Sequence, residues 1–186
     1  PPHAPDRMVA GHQSPKYPAS RFEQPVACRG TTAIAGEARP LEGRGERDHS
    51  WGPRPWNMEW TFLVLSGATL RTQCAVVEIP NLQPIQTGYL YREAFESLAE
   101  VELDVEVEGR PVLDPVAGRC RIVTESGEAL RGEIESLSGV EIDLTHTFTP
   151  PRRSLDRRGL VRVHRDGETE PLTGWLEFNR LREPRS

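Results

Sequence analysis

From residue 21 onward the chain alternates between short apolar and polar runs broken by turn residues. The clearest run is Val101-Glu102-Leu103-Asp104-Val105-Glu106-Val107-Glu108, in which apolar and acidic residues alternate without error. A strand sends successive side chains to opposite faces, so this run predicts one aliphatic face and one carboxylate face. A helix would scatter both sets around its circumference. The acidic row reads as a solvated face. Val140 to Phe148 alternates in the same way, with His146 on the apolar side, and Pro150-Pro151 stops it. Arg119–Glu125 and Ala129–Ser136 flank Ser126-Gly127-Glu128, and Leu160–Arg165 and Leu172–Arg180 flank Asp166-Gly167; both are hairpin signals.

Further strands are predicted over Phe22–Arg29, Thr31–Ala35, about Arg39–Glu46, Asn57–Ser66, Thr69–Ile79 and Gly88–Arg92, for about eleven in all. Regularly spaced short strands with turn signals predict an all-β protein, an antiparallel lipocalin-like barrel or a strongly bent sandwich. The best helical candidate is Glu93–Leu98, at most two turns in a connection. Asn57–Ser66 is apolar on both faces, which predicts a strand covered on both sides, as in a wall shared with a partner domain or a second copy. Residues 1 to about 20 hold five prolines and read as an extended arm or linker. The barrel domain is expected over 21–186.

Composition narrows the function classes. The chain has 186 residues, 36% hydrophobic and 27% charged, enough for one domain with a sizeable core. A net charge of -5 argues against a nucleic-acid footprint. No apolar run reaches the ~18 residues that span a bilayer, so no membrane span is expected. Cys28, Cys74 and Cys120 are far apart and form no CxxC; they predict buried free thiols in a reducing cytoplasm. P-loop, GxGxxG, GxSxG and HExxH motifs do not occur, and Asp48 and His49, being adjacent, point to opposite faces of a strand. Neither a metal nor a cofactor is therefore expected.

The segment Gly43–Trp56 is unlike the rest: it packs Trp51, Trp56, His49, Asp48 and three arginines into fourteen residues. Gly52-Pro53 and Pro55 predict a strand end or corner, which would set Asp48, His49 and Trp51 at a barrel rim. Two readings of these residues stay open. Asp48 or His49 is a proton donor or acceptor, with Trp51 and Trp56 as π-rich walls. Alternatively, Asp48 forms a buried ion pair with Arg47 or Arg54, and the tryptophans plug the barrel end. Elsewhere, His146 is a candidate pocket residue. Trp175 and Glu177 share a strand face: turned inward, Glu177 is a buried carboxylate; turned outward, it is a surface charge. Arg152–Arg158 reads as a basic, solvated loop, with a seat for an anionic ligand head group as the other reading.

Asp48-His49-Ser50-Trp51-Gly52 resembles the DHxWG-type signature of the AttH-like and hydroxyneurosporene-synthase-like (carotenoid 1,2-hydratase) superfamily. Gly174-Trp175-Leu176-Glu177-Phe178-Asn179-Arg180 resembles the closing strand of an uncharacterised bacterial branch that carries HSWG. The resemblance implies tandem lipocalin-like domains, of which this chain would be the second. It also implies a pocket for a hydrophobic small molecule of isoprenoid, lipid or polyketide type, and acid–base isomerisation, hydration or cyclisation. By motif position Asp48, His49 and Trp51 inherit the catalytic roles, with Arg54, Trp56, His146, Trp175 and Glu177 as ligand contacts. A non-catalytic module completing a two-domain assembly, or a ligand carrier, is the alternative.

Overall fold

The computed structural model describes residues 20–51, 57–105, 117–143 and 153–182. The proline-rich arm, Arg54, Trp56 and His146 lie outside them. The described residues form two compact units that divide after Arg54.

The first unit is one long hairpin. β1 (Ser20–Ile34) pairs antiparallel with β2 (Glu37–Trp51) in unbroken register from Ser20↔Trp51 to Ile34↔Glu37. Ala35 and Gly36 both have positive φ, 51° and 84°, the backbone twist that lets a two-residue turn match the strands it joins. Both strands are edges of a two-stranded ribbon, which is why Pro25 and Pro40 are tolerated within them.

The second unit is a nine-stranded antiparallel sheet: β3 (Glu59–Ser66), β4 (Arg71–Glu78), β5 (Ile85–Tyr91), β6 (Phe95–Val105), β7 (Ala117–Thr124), β8 (Ala129–Ser136), β9 (Val140–Asp143), β10 (Arg153–Arg165) and β11 (Leu172–Arg182). β11 pairs with both β10 and β3, so eight strands close into a barrel, and β9 extends the line of β8 along β10. Residues 137–139 sit opposite 159–160, one residue in excess, since Ser136 pairs with Val161 and Val140 with Arg158. Leu137 and Ser138 both donate their N–H to the Leu160 carbonyl across this bulge. The lipocalin-like barrel expected from the strand spacing is therefore the fold.

Period-two burial defines the inner face. Thr61, Leu63 and Leu65 on β3 are buried and alternate with half-buried Phe62 and Val64. Leu63, Cys74, Val101, Ile122, Val161 and Leu176, from six different strands, belong to one core cluster. Side chains fill the interior of an eight-stranded barrel of this size. The hairpins signalled at Gly127 and Gly167 are present, with φ of 92° and 78°.

Four expectations are corrected. Residues 95–98 open strand β6 and are not a helix; Phe95 stacks on Tyr91 and Tyr89, ring centroids 4.8 and 5.1 Å away, which two paired strands permit and a helical connection does not. Arg153–Arg158 is strand, with Asp156 and Arg157 buried, and not a solvated loop. Asp48 and Arg47 are both exposed, so no buried ion pair forms between them. Cys74 and Cys120 are buried free thiols as expected, whereas Cys28 is exposed on the hairpin. Burial, reinforced by the charge of Asp166, pushes the Cys120 thiol up to about 11. Ellman's reagent at mildly alkaline pH is expected to titrate Cys28 alone in the folded protein and all three thiols after urea. Fast reaction of a second thiol in the native state would contradict the burial of Cys74 and Cys120.

Candidate functional site

The strands β10, β11, β3, β4 and β5 carry a second organised surface, on the face turned away from the core. Register sets its rows. Asp156, Asn179 and Trp60 lie side by side, followed by Arg158, Glu177, Phe62 and Ala75, and then Leu160, Trp175, Val64, Gln73 and Tyr89. Trp175 and Glu177 thus share the outer face, and neither of the two simple alternatives for Glu177 holds. The side chain faces outward, yet only 20% of it is exposed. Large aromatic neighbours on the adjoining strand shield it, and its polar atoms are met. The Trp60 indole N–H donates to Glu177 Oε1 at 3.0 Å, and Arg158 Nε lies 3.3 Å from Oε2.

Arg158 links this carboxylate to a second one. Its Nε and Nη2 donate to Asp156 Oδ2 at 2.9 and 2.7 Å. Asp156, Asn179 and Ser154 are completely buried, and Asn179 Nδ2 donates to Ser154 Oγ at 2.8 Å. Asp156 Oδ1 and Asn179 Oδ1 have no hydrogen-bond partner among the described residues. Burial raises the Asp156 carboxyl above its ordinary range, against the opposing pull of Arg158. Two rows away Gln73 is also completely buried, and neither end of its amide has a partner among the described residues. Buried polar groups normally find partners, which sets these residues apart from the rest of the face.

Around these groups the face is apolar. Leu160 and Val140 are half exposed, and Ile142, opposite Asp156 on β9, is 36% exposed. An apolar surface with a few convergent polar groups is the usual composition of a small-molecule site. On the core side of the same strands, Arg180 spans β11 and β3. Its Nη1 donates to the Trp60 and Asn179 carbonyls and its Nη2 to Thr61 Oγ1, each at 2.9 Å.

The motif residues belong to the first unit. Asp48, His49 and Trp51 stand near the end of β2 in the hairpin unit. His49 and Trp51 share a face, ring centroids 5.3 Å apart; Asp48 faces the other way. Over β6–β8 a surface groove of about 420 Å³ is lined by Glu102, Asp104, Arg119, Arg121, Arg131 and Glu133 among others. Arg121 bridges Glu100 and Glu102 there, so the acidic row forms surface ion pairs of little energetic weight. Among the described residues, no group of three or more His, Cys, Asp or Glu could hold a metal ion.

A family model covers residues 2–182, nearly the whole chain: DUF7064, a domain of unknown function. The chain belongs to the DUF7064 family. No curated protein matches the DUF7064 chain. Among solved structures it is similar to kievitone hydratase from Nectria haematococca, with a TM-score of 0.57 at 12% identity over 86% of this chain and 52% of that one. It also matches CghA, with a TM-score of 0.49 at 13% identity over 89% of this chain and 54% of that one. The DUF7064 chain spans about half the length of these structures. The first likeness bears on the fold, which is the lipocalin-like barrel described above.

Asp156, Asn179, Arg158, Trp60 and Gln73 were not among the expected site residues. A signal for the first was present: Ser154, Asp156 and Arg158 alternate with Leu155, Arg157 and Gly159 at the strand period. The surrounding arginines hid it.

Proposed function

We propose that this domain takes up a hydrophobic small molecule of isoprenoid, lipid or polyketide type and carries out acid–base chemistry on it: isomerisation, hydration or cyclisation. The observation that carries the reading is the outer face of β10, β11 and β3, where Glu177 meets Trp60 and Arg158 and shares the face with Trp175 and Phe62. Aromatic surface supplies affinity, and a carboxylate held by an indole N–H and a guanidinium supplies orientation. The name of kievitone hydratase, whose fold the chain shares, is in keeping with hydration. In this reading the chain belongs to the bacterial HSWG branch and acts in the cytoplasm, where its free thiols stay reduced. His49 and Trp51 have their rings 5.3 Å apart, as an acid–base residue beside an aromatic wall would, and in this reading Asp48 or His49 is the proton-transfer group. Arg54, Trp56 and His146 complete the ligand contacts.

Titration with cis-parinaric acid, followed by its fluorescence, tests the binding half. Saturable one-to-one binding is expected, weakened about tenfold by Trp175→Ala, the loss of one large aromatic contact. Asp48→Asn with His49→Ala is expected to leave that binding intact and to remove hydration of farnesol, read as the gain of one water in mass. Absence of saturable binding sinks the reading, and turnover that survives the double variant removes Asp48 and His49 from the chemistry.

A second reading rests on a different observation. Leu137, Val140, Ile142 and Leu160 are exposed together along β10, and β3 is apolar on both faces. The chain would then be a non-catalytic module, docking a partner domain or a second copy across this wall. Sedimentation decides: a monomer at all concentrations counts against self-pairing.

A further inference from the structure

We propose that the β1–β2 hairpin is a self-association surface: its apolar face packs on the same face of a second copy of this chain, and the two ribbons stack into a four-stranded sandwich. The two faces of the hairpin differ in kind. Directly opposed residues share a face, and the pairs Val26↔Gly45, Cys28↔Gly43 and Gly30↔Leu41 put three apolar side chains and three glycines on one of them. The other face carries Arg29, Glu42, Arg44 and Glu46, with Arg29 bonded to Glu42 at 3.0 Å. On the apolar face Leu41 is 50% exposed, Ile34 is 62% exposed and Cys28 is exposed. Strand glycines of the barrel have a reason within the chain: a Cβ at Gly118, Gly132 or Gly174 would run into a backbone oxygen of the neighbouring strand. At Gly30 and Gly43 a Cβ meets nothing within 4 Å among the described residues, and neither has a positive φ. Glycine weakens the interior of a strand and marks a place where another surface comes close.

A second copy is the occupant because the face is complementary to itself. A two-fold axis along the ribbon lays β1 of one copy over β2 of the other in the same register. Val26 then stands over the partner's Gly45, Cys28 over the partner's Gly43 and Leu41 over the partner's Gly30, so each of these projecting side chains meets a glycine. Arg47 falls over the partner's Gln24. Arg39, held by Glu37 in its own strand, falls over the partner's Thr32, and no like charges are stacked. Two strands of 15 residues give a face about 50 Å long and about 10 Å wide. Stacking two such faces buries about 1,000 Å² in all, the size from which a specific interface begins. Lateral pairing of the ribbons is disfavoured, since Pro25 and Pro40 each remove a donor from a strand edge. A two-stranded ribbon is marginal by itself, whereas four strands around a buried apolar layer are not.

Sedimentation velocity over a concentration series tests the association, and cross-linking tests the face. Cys28 lies in the apolar face while Cys74 and Cys120 are buried, so a short bismaleimide reacts at Cys28 alone. The expected result is a monomer–dimer equilibrium in the micromolar range, with a cross-linked dimer from the parent chain. Ala27→Cys in a Cys28→Ser background moves the thiol to the charged face and is expected to give no cross-linked dimer. Gly30→Val fills the space that Leu41 of the second copy takes. It is expected to raise the dissociation constant about tenfold or more, with the far-ultraviolet circular dichroism unchanged. Cross-linking of the parent chain needs no variant, so the test holds even where a variant does not fold. A chain that stays monomeric and uncross-linked overturns the proposal, as for a face covered by another domain. A dimer that Gly30→Val leaves equally tight, and that the Ala27→Cys variant cross-links as well as the parent, overturns it too, as for association across the wall along β10.

Discussion

Gly174→Val is expected to unfold the barrel or to cost more than about 4 kcal/mol, the largest effect of any single change considered. Gly174 lies on β11 opposite Leu65, at the seam where the last strand closes on the first strand of the barrel. A Cβ there would collide with the Val64 carbonyl oxygen and stand 2.7 Å from its carbon and 2.9 Å from Leu65 Cα. All three are backbone atoms of the paired strand, so no side chain can swing away. Relief requires β11 and β3 to part, and with them the rows that hold Trp60 beside Glu177. Even Gly174→Ala should lose several kcal/mol, against about 5–15 kcal/mol of total stability in a typical domain. Gly43→Ala is the control, since a Cβ at Gly43 meets nothing within 4 Å. Urea melts by circular dichroism should show Gly43→Ala within about 0.5 kcal/mol of the parent. A parent-like midpoint for Gly174→Ala would show that the strands do not approach so closely.

Phe178→Ala should cost about 3–5 kcal/mol. Phe178 is 2% exposed, with Thr61 and Arg157 as its cross-strand neighbours. Truncation leaves a cavity between two paired strands that cannot collapse, because their backbones are held in register on either side. It also removes the ring 5.6 Å below the Arg180 guanidinium, a group whose own bonds tie β11 to β3. Phe178→Leu keeps most of the volume and should cost about 1.5 kcal/mol or less. Both should move the urea midpoint without changing the slope. A loss below about 1 kcal/mol for Phe178→Ala would mean that Phe178 does not pack against its neighbours as described.

The strands were legible wherever side chains alternate. Val101–Val105 and Ala129–Ser136 could be read because pleating ties each residue's face to its parity, which is a local rule. Turn glycines at 127 and 167 were legible for an equally local reason, since a positive φ selects glycine. Glu93–Leu98 misled because Ala94, Phe95 and Leu98 fall at the helical spacing i, i+1, i+4; the aromatic stack of Phe95 on Tyr91 and Tyr89, formed only after β5 and β6 pair, decides for strand. Trp175 and Glu177 were singled out from one strand, but their partners come from β3 and β10, far away in the chain.

By itself, then, the sequence determined the all-β character, most of the strands and which of their residues point toward the core, because alternation and turn chemistry act within a few residues. Tertiary structure alone decided which polar side chains lose water. Asp156 reads as one more charge between arginines, and Gln73 as an ordinary polar residue of a strand. Their burial is set by neighbours brought in from other strands, and a carboxyl acquires an unmet oxygen only when everything around it has been placed.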